Sequence, residues 1–105
     1  MAVPKNLTKT VSAAGTAEAL SATALWVVGY IVKPLAANTG NVYVGDSDVD
    51  NTGMPWAAGE PFSWNGDFLP RADDKNRYTN LAEVYIDVDT NDEGVDVLYE
   101  PVTTL

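Results

Sequence analysis

Hydrophobic positions along this chain come in short bursts separated by polar, turn-forming runs. The sharpest burst is Trp26 to Val32 (WVVGYIV), β-branched and aromatic, with Pro34 just beyond it. Such residues favour extended backbone. Unbroken apolarity predicts that both faces are covered, in a central strand of a sandwich or a strand at an interface, and Gly29 within it predicts a bulge or a close backbone approach. Val42-Tyr43-Val44 reads as a second short strand, entered from the turn signal Asn38-Thr39-Gly40-Asn41 and ended by Gly45. Phe62 to Trp64 reads as a third, before the hairpin-type turn Asn65-Gly66. Leu81 to Val88 alternates, with Leu81, Glu83, Tyr85 and Asp87 on one side and Ala82, Val84, Ile86 and Val88 on the other. That period of two predicts a half-buried strand. Asp89 to Gly94 is a turn and Val95 to Tyr99 returns, so a C-terminal β-hairpin is expected.

The first quarter is richer in Ala, Ser and Thr. Ala17 to Leu20 has helix propensity, but Thr8, Thr10 and Val11 favour extension and Gly15 interrupts any long helix. Two short extended segments around a Gly15-Thr16 turn are expected. Residues 46–61 read as a long polar loop carrying Met54, Pro55 and Trp56, and residues 70–80 as a further loop. No helical periodicity lasts three turns. The fold class is therefore all-β: a single small β-sandwich or jelly roll of short antiparallel strands. Residues 1–24 would form an extended N-terminal arm with the first short strands, and residues 25–105 the sandwich body. Asn41 to Val44 and Glu83 to Ile86 echo each other before Asp-rich turns, which recurrent strand grammar explains.

With 105 residues the chain has room for one core. It contains no Cys and no His. Thiolate nucleophiles, imidazole acid–base chemistry, Ser-His-Asp triads and Cys/His zinc sites are thereby excluded. Fifteen acidic residues against six basic ones give a net charge of −9. Such a surface repels phosphate backbones, so no nucleic-acid partner is expected. The start lacks the apolar core of a signal peptide. The longest strongly apolar run, Ala24 to Val32, is too short to span a bilayer. Synthesis in a cytoplasm, without a signal peptide and without a membrane partner, is the expectation.

Two acidic segments invite a metal reading. Asp46, Asp48 and Asp50 alternate as oxygen ligands for a hard cation would, with Glu60 as a further donor. An EF-hand loop needs Gly at its sixth position and Glu at its twelfth; Asn51 and Ala57 stand there, so that motif is rejected. A looser Ca²⁺ loop competes with ordinary Asp turns, whose side chains bond their own backbone. Asp87, Asp89, Asn91, Asp92 and Glu93 pose the same choice between a cation and solvent. No cofactor is expected. Paired carboxylates for glycoside hydrolysis have no spacing to recommend them, and no enzyme activity is expected.

Several runs carry a family likeness. They are Gly15 to Leu20, Asn38 to Val49 (NTGNVYVGDSDV), Gly53 to Glu60 (GMPWAAGE), Glu83 to Ile86, and Glu93 to Tyr99 (EGVDVLY). In these the chain resembles small β-sandwich structural proteins of tailed bacteriophages, over roughly residues 10 to 100. Trp56 stands where such loops commonly have Leu, Ala58 where they have Pro, and the stretch Pro70 to Asn80 is less typical. The resemblance implies a capsid decoration (cement) protein on the outer head surface, often a homotrimer, with the major capsid protein and copies of itself as partners. A head–tail, tail-tip or fibre-base component of the same fold is the alternative. A carbohydrate- or surface-binding module using Trp56 and Trp64 is the second. Under the first reading the expected contact residues are Val3, Leu7 and Val11 of the arm, the aromatics Trp56, Phe62 and Trp64, and the basic cluster Arg71, Lys75 and Arg77.

Overall fold

The computed structural model describes residues 3–65 and 78–102. Within them the chain forms nine strands: β1 (Lys5–Thr10), β2 (Glu18–Ala19), β3 (Trp26–Pro34), β4 (Val42–Gly45), β5 (Pro55–Trp56), β6 (Phe62–Asn65), β7 (Thr79–Asn80), β8 (Tyr85–Val88) and β9 (Gly94–Pro101). A 3₁₀ turn, Leu81–Glu83, precedes β8, and the Asn80 side chain caps it by accepting the Ala82 N–H. The strands form two antiparallel sheets. The first runs β1-β9-β3-β6, with β7 also on β3; the second runs β2-β8-β4-β5. The fold is all-β, as the sequence implies.

The core lies between the sheets. Val27, Tyr30, Val32, Val95 and Val97 come from the first sheet, and Val42, Ile86 and Val88 from the second. Val11, Leu20, Leu81 and Val84 close the ends. Burying each large aliphatic side chain contributes about 1.5–3 kcal/mol, so this apolar set drives the two sheets together.

Four expectations need correction. First, residues 81–99 form no hairpin: β8 pairs with β2 and β4, whereas β9 pairs with β1 and β3. Residues 89–93 instead carry the chain from one sheet to the other. Alternation shows that each strand has one face on the core, but not whether successive strands lie side by side or face to face. Second, the alternating segment divides into the 3₁₀ turn and β8, and Asp87 is 1% exposed. The Gly15 N–H donates to Asp87 Oδ1 at 2.9 Å, so the 12–16 turn covers the outer side of β8. Third, β3 is not covered on both faces. Val27, Tyr30, Val32 and Pro34 are buried, while Trp26, Ile31 and Lys33 are exposed. The expected irregularity at Gly29 is present, as a register shift between Val27 and Gly29 against β9. Fourth, the loop at 46–61 contains β5, paired with β4.

The N-terminal segment is extended, with the Gly15 turn at φ +89° between β1 and β2. Only glycine adopts that conformation without strain. It is tied into the body along its length. All six residues of β1 register with β9, and Val11 is fully buried in the core.

Candidate functional site

The site residues expected from sequence fall in different places. Val3 is 69% exposed ahead of β1, and Leu7 is half-buried on β1 against the core. Val11 has no exposed surface, so it cannot serve as a contact residue in the folded chain. Trp56 is half-buried in β5, at the edge of the other sheet, opposite Val42. Phe62 and Trp64 occupy β6 opposite Val32 and Tyr30 in register, and their side chains lie outside the described part. Arg71, Lys75 and Arg77 lie outside the described residues. The arm residues and Trp56 therefore sit on the edges of opposite sheets, not in one patch.

The loop carboxylates are used locally. Asp46 Oδ1 accepts the Asp48 N–H, Asp50 Oδ1 accepts the N–H and hydroxyl of Thr52, and Glu60 accepts the Ala57 N–H. The Thr52 donors hold the Asp50 carboxyl below its ordinary pKa. These are side-chain-closed turns. Among the described residues no three acidic side chains converge as a metal ion would need.

The second acidic segment does something the sequence did not reveal. Residues 87–93 form a clasp at one end of the molecule. Asp87 takes the Gly15 N–H, and Asn91 Oδ1 takes that of Ala14 at 2.8 Å. Asp89 takes the Asn41 N–H and the Tyr43 hydroxyl. Glu93 Oε2 accepts the Thr39 N–H at 2.7 Å and its hydroxyl at 2.9 Å, while Oε1 accepts the Gly40 N–H at 3.0 Å. The Gly40 and Thr39 amides hold the Glu93 carboxyl below its ordinary pKa. Burial, and then the Asp89 carboxylate, push the Tyr43 phenol up. One segment thus satisfies amides in two distant loops, 12–16 and 38–41. Asp, Asn and Glu at 89–93 signal turn chemistry in the sequence, but nothing local identifies their partners.

The outer face of the first sheet has a different character. Its outward positions are Asn6, Thr8 and Thr10 on β1, Asp96, Leu98 and Glu100 on β9, and Ile31 and Lys33 on β3. Trp26, Ile31 and Leu98 are each 40% exposed. Ile31 lies directly opposite Leu98, and Lys33 opposite Asp96. Among these positions Asp96 and Glu100 stand against Lys33, so the face keeps a small net negative charge. A partly apolar sheet face with a lysine and an aspartate in register is a surface suited to contact with another protein.

Shallow depressions flank these features. One, of about 350 Å³, is bounded by Gly15, Asp50, Asp87 and Asp89; another, of about 410 Å³, by Tyr30, Val44, Thr79 and Val84. Comparison with protein-family models, curated proteins and solved structures gave no match to this chain.

Proposed function

We propose that this chain is a virion structural protein of a tailed bacteriophage, a capsid decoration protein that binds the outer head surface as an oligomer and stabilises it. The observation that carries this reading is where the resembling segments lie. Asn38 to Gly45 supplies a clasped loop and β4, Glu83 to Ile86 leads into β8, and Gly94 to Tyr99 forms most of β9. The likeness is thus a likeness of framework residues in a two-sheet β protein. The acidic surface suits the outside of a head, away from packaged DNA. The partners under this reading are the major capsid protein and further copies of the chain, with a trimer favoured by the resemblance. The protein would be made in the host cytoplasm and end on the outer capsid surface.

The test is quantitative mass spectrometry of purified virions, taking the copy number of this protein against the major capsid protein. A simple integer ratio is the expected result. A few copies per particle would move the protein to the head–tail junction, tail tip or fibre base. Absence from the particle would overturn both placements.

A further inference from the structure

We infer that the outer face of the β1-β9-β3-β6 sheet is a self-pairing surface on which two copies stack face to face about a two-fold axis. The axis runs parallel to the strands, midway between β9 and β3. This inference does not rest on the virion reading, and its symmetry differs from the trimer implied there.

Three observations carry it. The first is the pattern across the axis. Within one copy Ile31 registers with Leu98, and Lys33 with Asp96. A two-fold along the strands lays β3 of one copy over β9 of the other. Ile31 then meets the partner's Leu98, and Lys33 meets the partner's Asp96, each contact occurring twice. Glu100 falls over the partner's Gly29, where no like charge waits. The sheet order is itself symmetric about this line, so β1 falls over the partner's β6. An isologous interface requires this kind of self-complementarity.

The second observation is an unspent charge. Lys33 and Asp96 are cross-strand neighbours, yet the ion pair found among the described residues is Lys9–Glu18. Asp96 Oδ1 accepts the Thr8 hydroxyl at 2.6 Å, and no hydrogen bond of the Lys33 side chain occurs among the described residues. Stacked sheets lie about 10 Å apart, a gap that an extended lysine and a facing aspartate together span.

The third is size. Strands of six, eight, nine and four residues, ~4.8 Å apart and at ~3.3 Å per residue, give a footprint of about 430 Å² per copy. The pair then buries about 860 Å², the size of a weak, transient interface. The dimer is therefore concentration-dependent rather than obligate. The −9 charge of each copy opposes association, and on this face the two Lys33–Asp96 contacts offset part of it.

The test is sedimentation velocity from micromolar to millimolar concentration, with far-UV circular dichroism confirming that each variant is folded. The wild-type chain is expected to move from 11.2 kDa to twice that mass as concentration rises. Lys33→Asp and Asp96→Lys should each weaken self-pairing at least about tenfold, because each removes both symmetry-related charge contacts. Mixed together the two variants should pair, because the introduced carboxylate of one then faces the introduced ammonium of the other. The double variant, at the wild-type net charge, should pair as the wild type does. Ile31→Thr should weaken pairing without altering charge. A wild-type chain that stays monomeric at millimolar concentration would overturn the inference. So would a trimer indifferent to both charge substitutions, a result that leaves the virion reading intact. Conversely, intact pairing with no copies in virions would leave this inference standing alone.

Discussion

Three donors converge on the single carboxylate of Glu93, two of them backbone amides of the Thr39-Gly40 turn. Its pKa is held down by those amides. A group with a depressed folded pKa stabilises the fold above its unfolded value, ~4.3 for Glu, and loses that contribution as pH falls through the folded value. Glu93→Gln keeps the shape and removes the charge. Its Tm should lie below wild type at neutral pH, and the gap should close as acid protonates the wild-type carboxyl. A gap that persists in acid would assign the effect to packing instead. The turn at Asp89 to Gly94 was legible from composition. The clasp was not, because a carboxylate's chemistry says that it wants N–H donors but not which loop brings them. Asp87 shows the same limit. Alternation set it opposite Ile86 and Val88, and its burial follows from a turn some seventy residues away in sequence.

At the level of strands, the extended segments were largely readable and their partners were not. Val42 to Val44, Phe62 to Trp64 and Trp26 to Val32 all became strands because β-branched and aromatic runs bounded by Gly, Pro and Asn leave few other choices. Sheet membership depends on which side of the core each strand takes, and a period of two is blind to that. β1 illustrates a further point. Among the described residues it is an edge strand, yet Lys9 on its core-facing side, opposite Val95, ion-pairs with Glu18 at 2.9 Å across the sandwich. An inward charge on an edge strand discourages further strand addition. Glu18 is held below its ordinary pKa by Lys9 first and by the Ser12 amide second. β1 also needs Gly94. A Cβ there would fall 2.0 Å from the Lys9 carbonyl oxygen and 2.7 Å from Thr10 Cα. Backbone cannot yield as a side-chain tip can, so Gly94→Ala should lift the end of β1 and cost about 3 kcal/mol. Urea unfolding measures this; a loss within experimental error would show that the two strands separate freely there.

Across the whole molecule, the two sheets close over a core that holds Tyr30, with Tyr43 buried at its margin. Burial pushes the Tyr30 phenol up to about 12, and Tyr43 is raised by burial and by Asp89. A raised folded pKa contributes stability below the ordinary value of ~10 and loses it as pH climbs toward the folded value. Alkaline titration should therefore withhold part of the phenolate absorbance of the five tyrosines. That part should appear only when circular dichroism reports unfolding. A single transition near pH ~10 with the fold retained would contradict the buried placement.

The position of β9 bears on how the chain is made. Among the described strands it comes last in sequence, yet it lies between β1 and β3 in the first sheet. Among the described residues β1 has no other strand partner, so the first of these strands to leave the ribosome waits for the last. A nascent chain released before residue 94 would lack the strand that joins the two, leaving Val11 and Val32 without the Val95 and Val97 that complete their core. Such a product would be open to proteases, whereas the finished chain holds these segments closed. A chain cut short before β9 should therefore be digested faster than one that includes it.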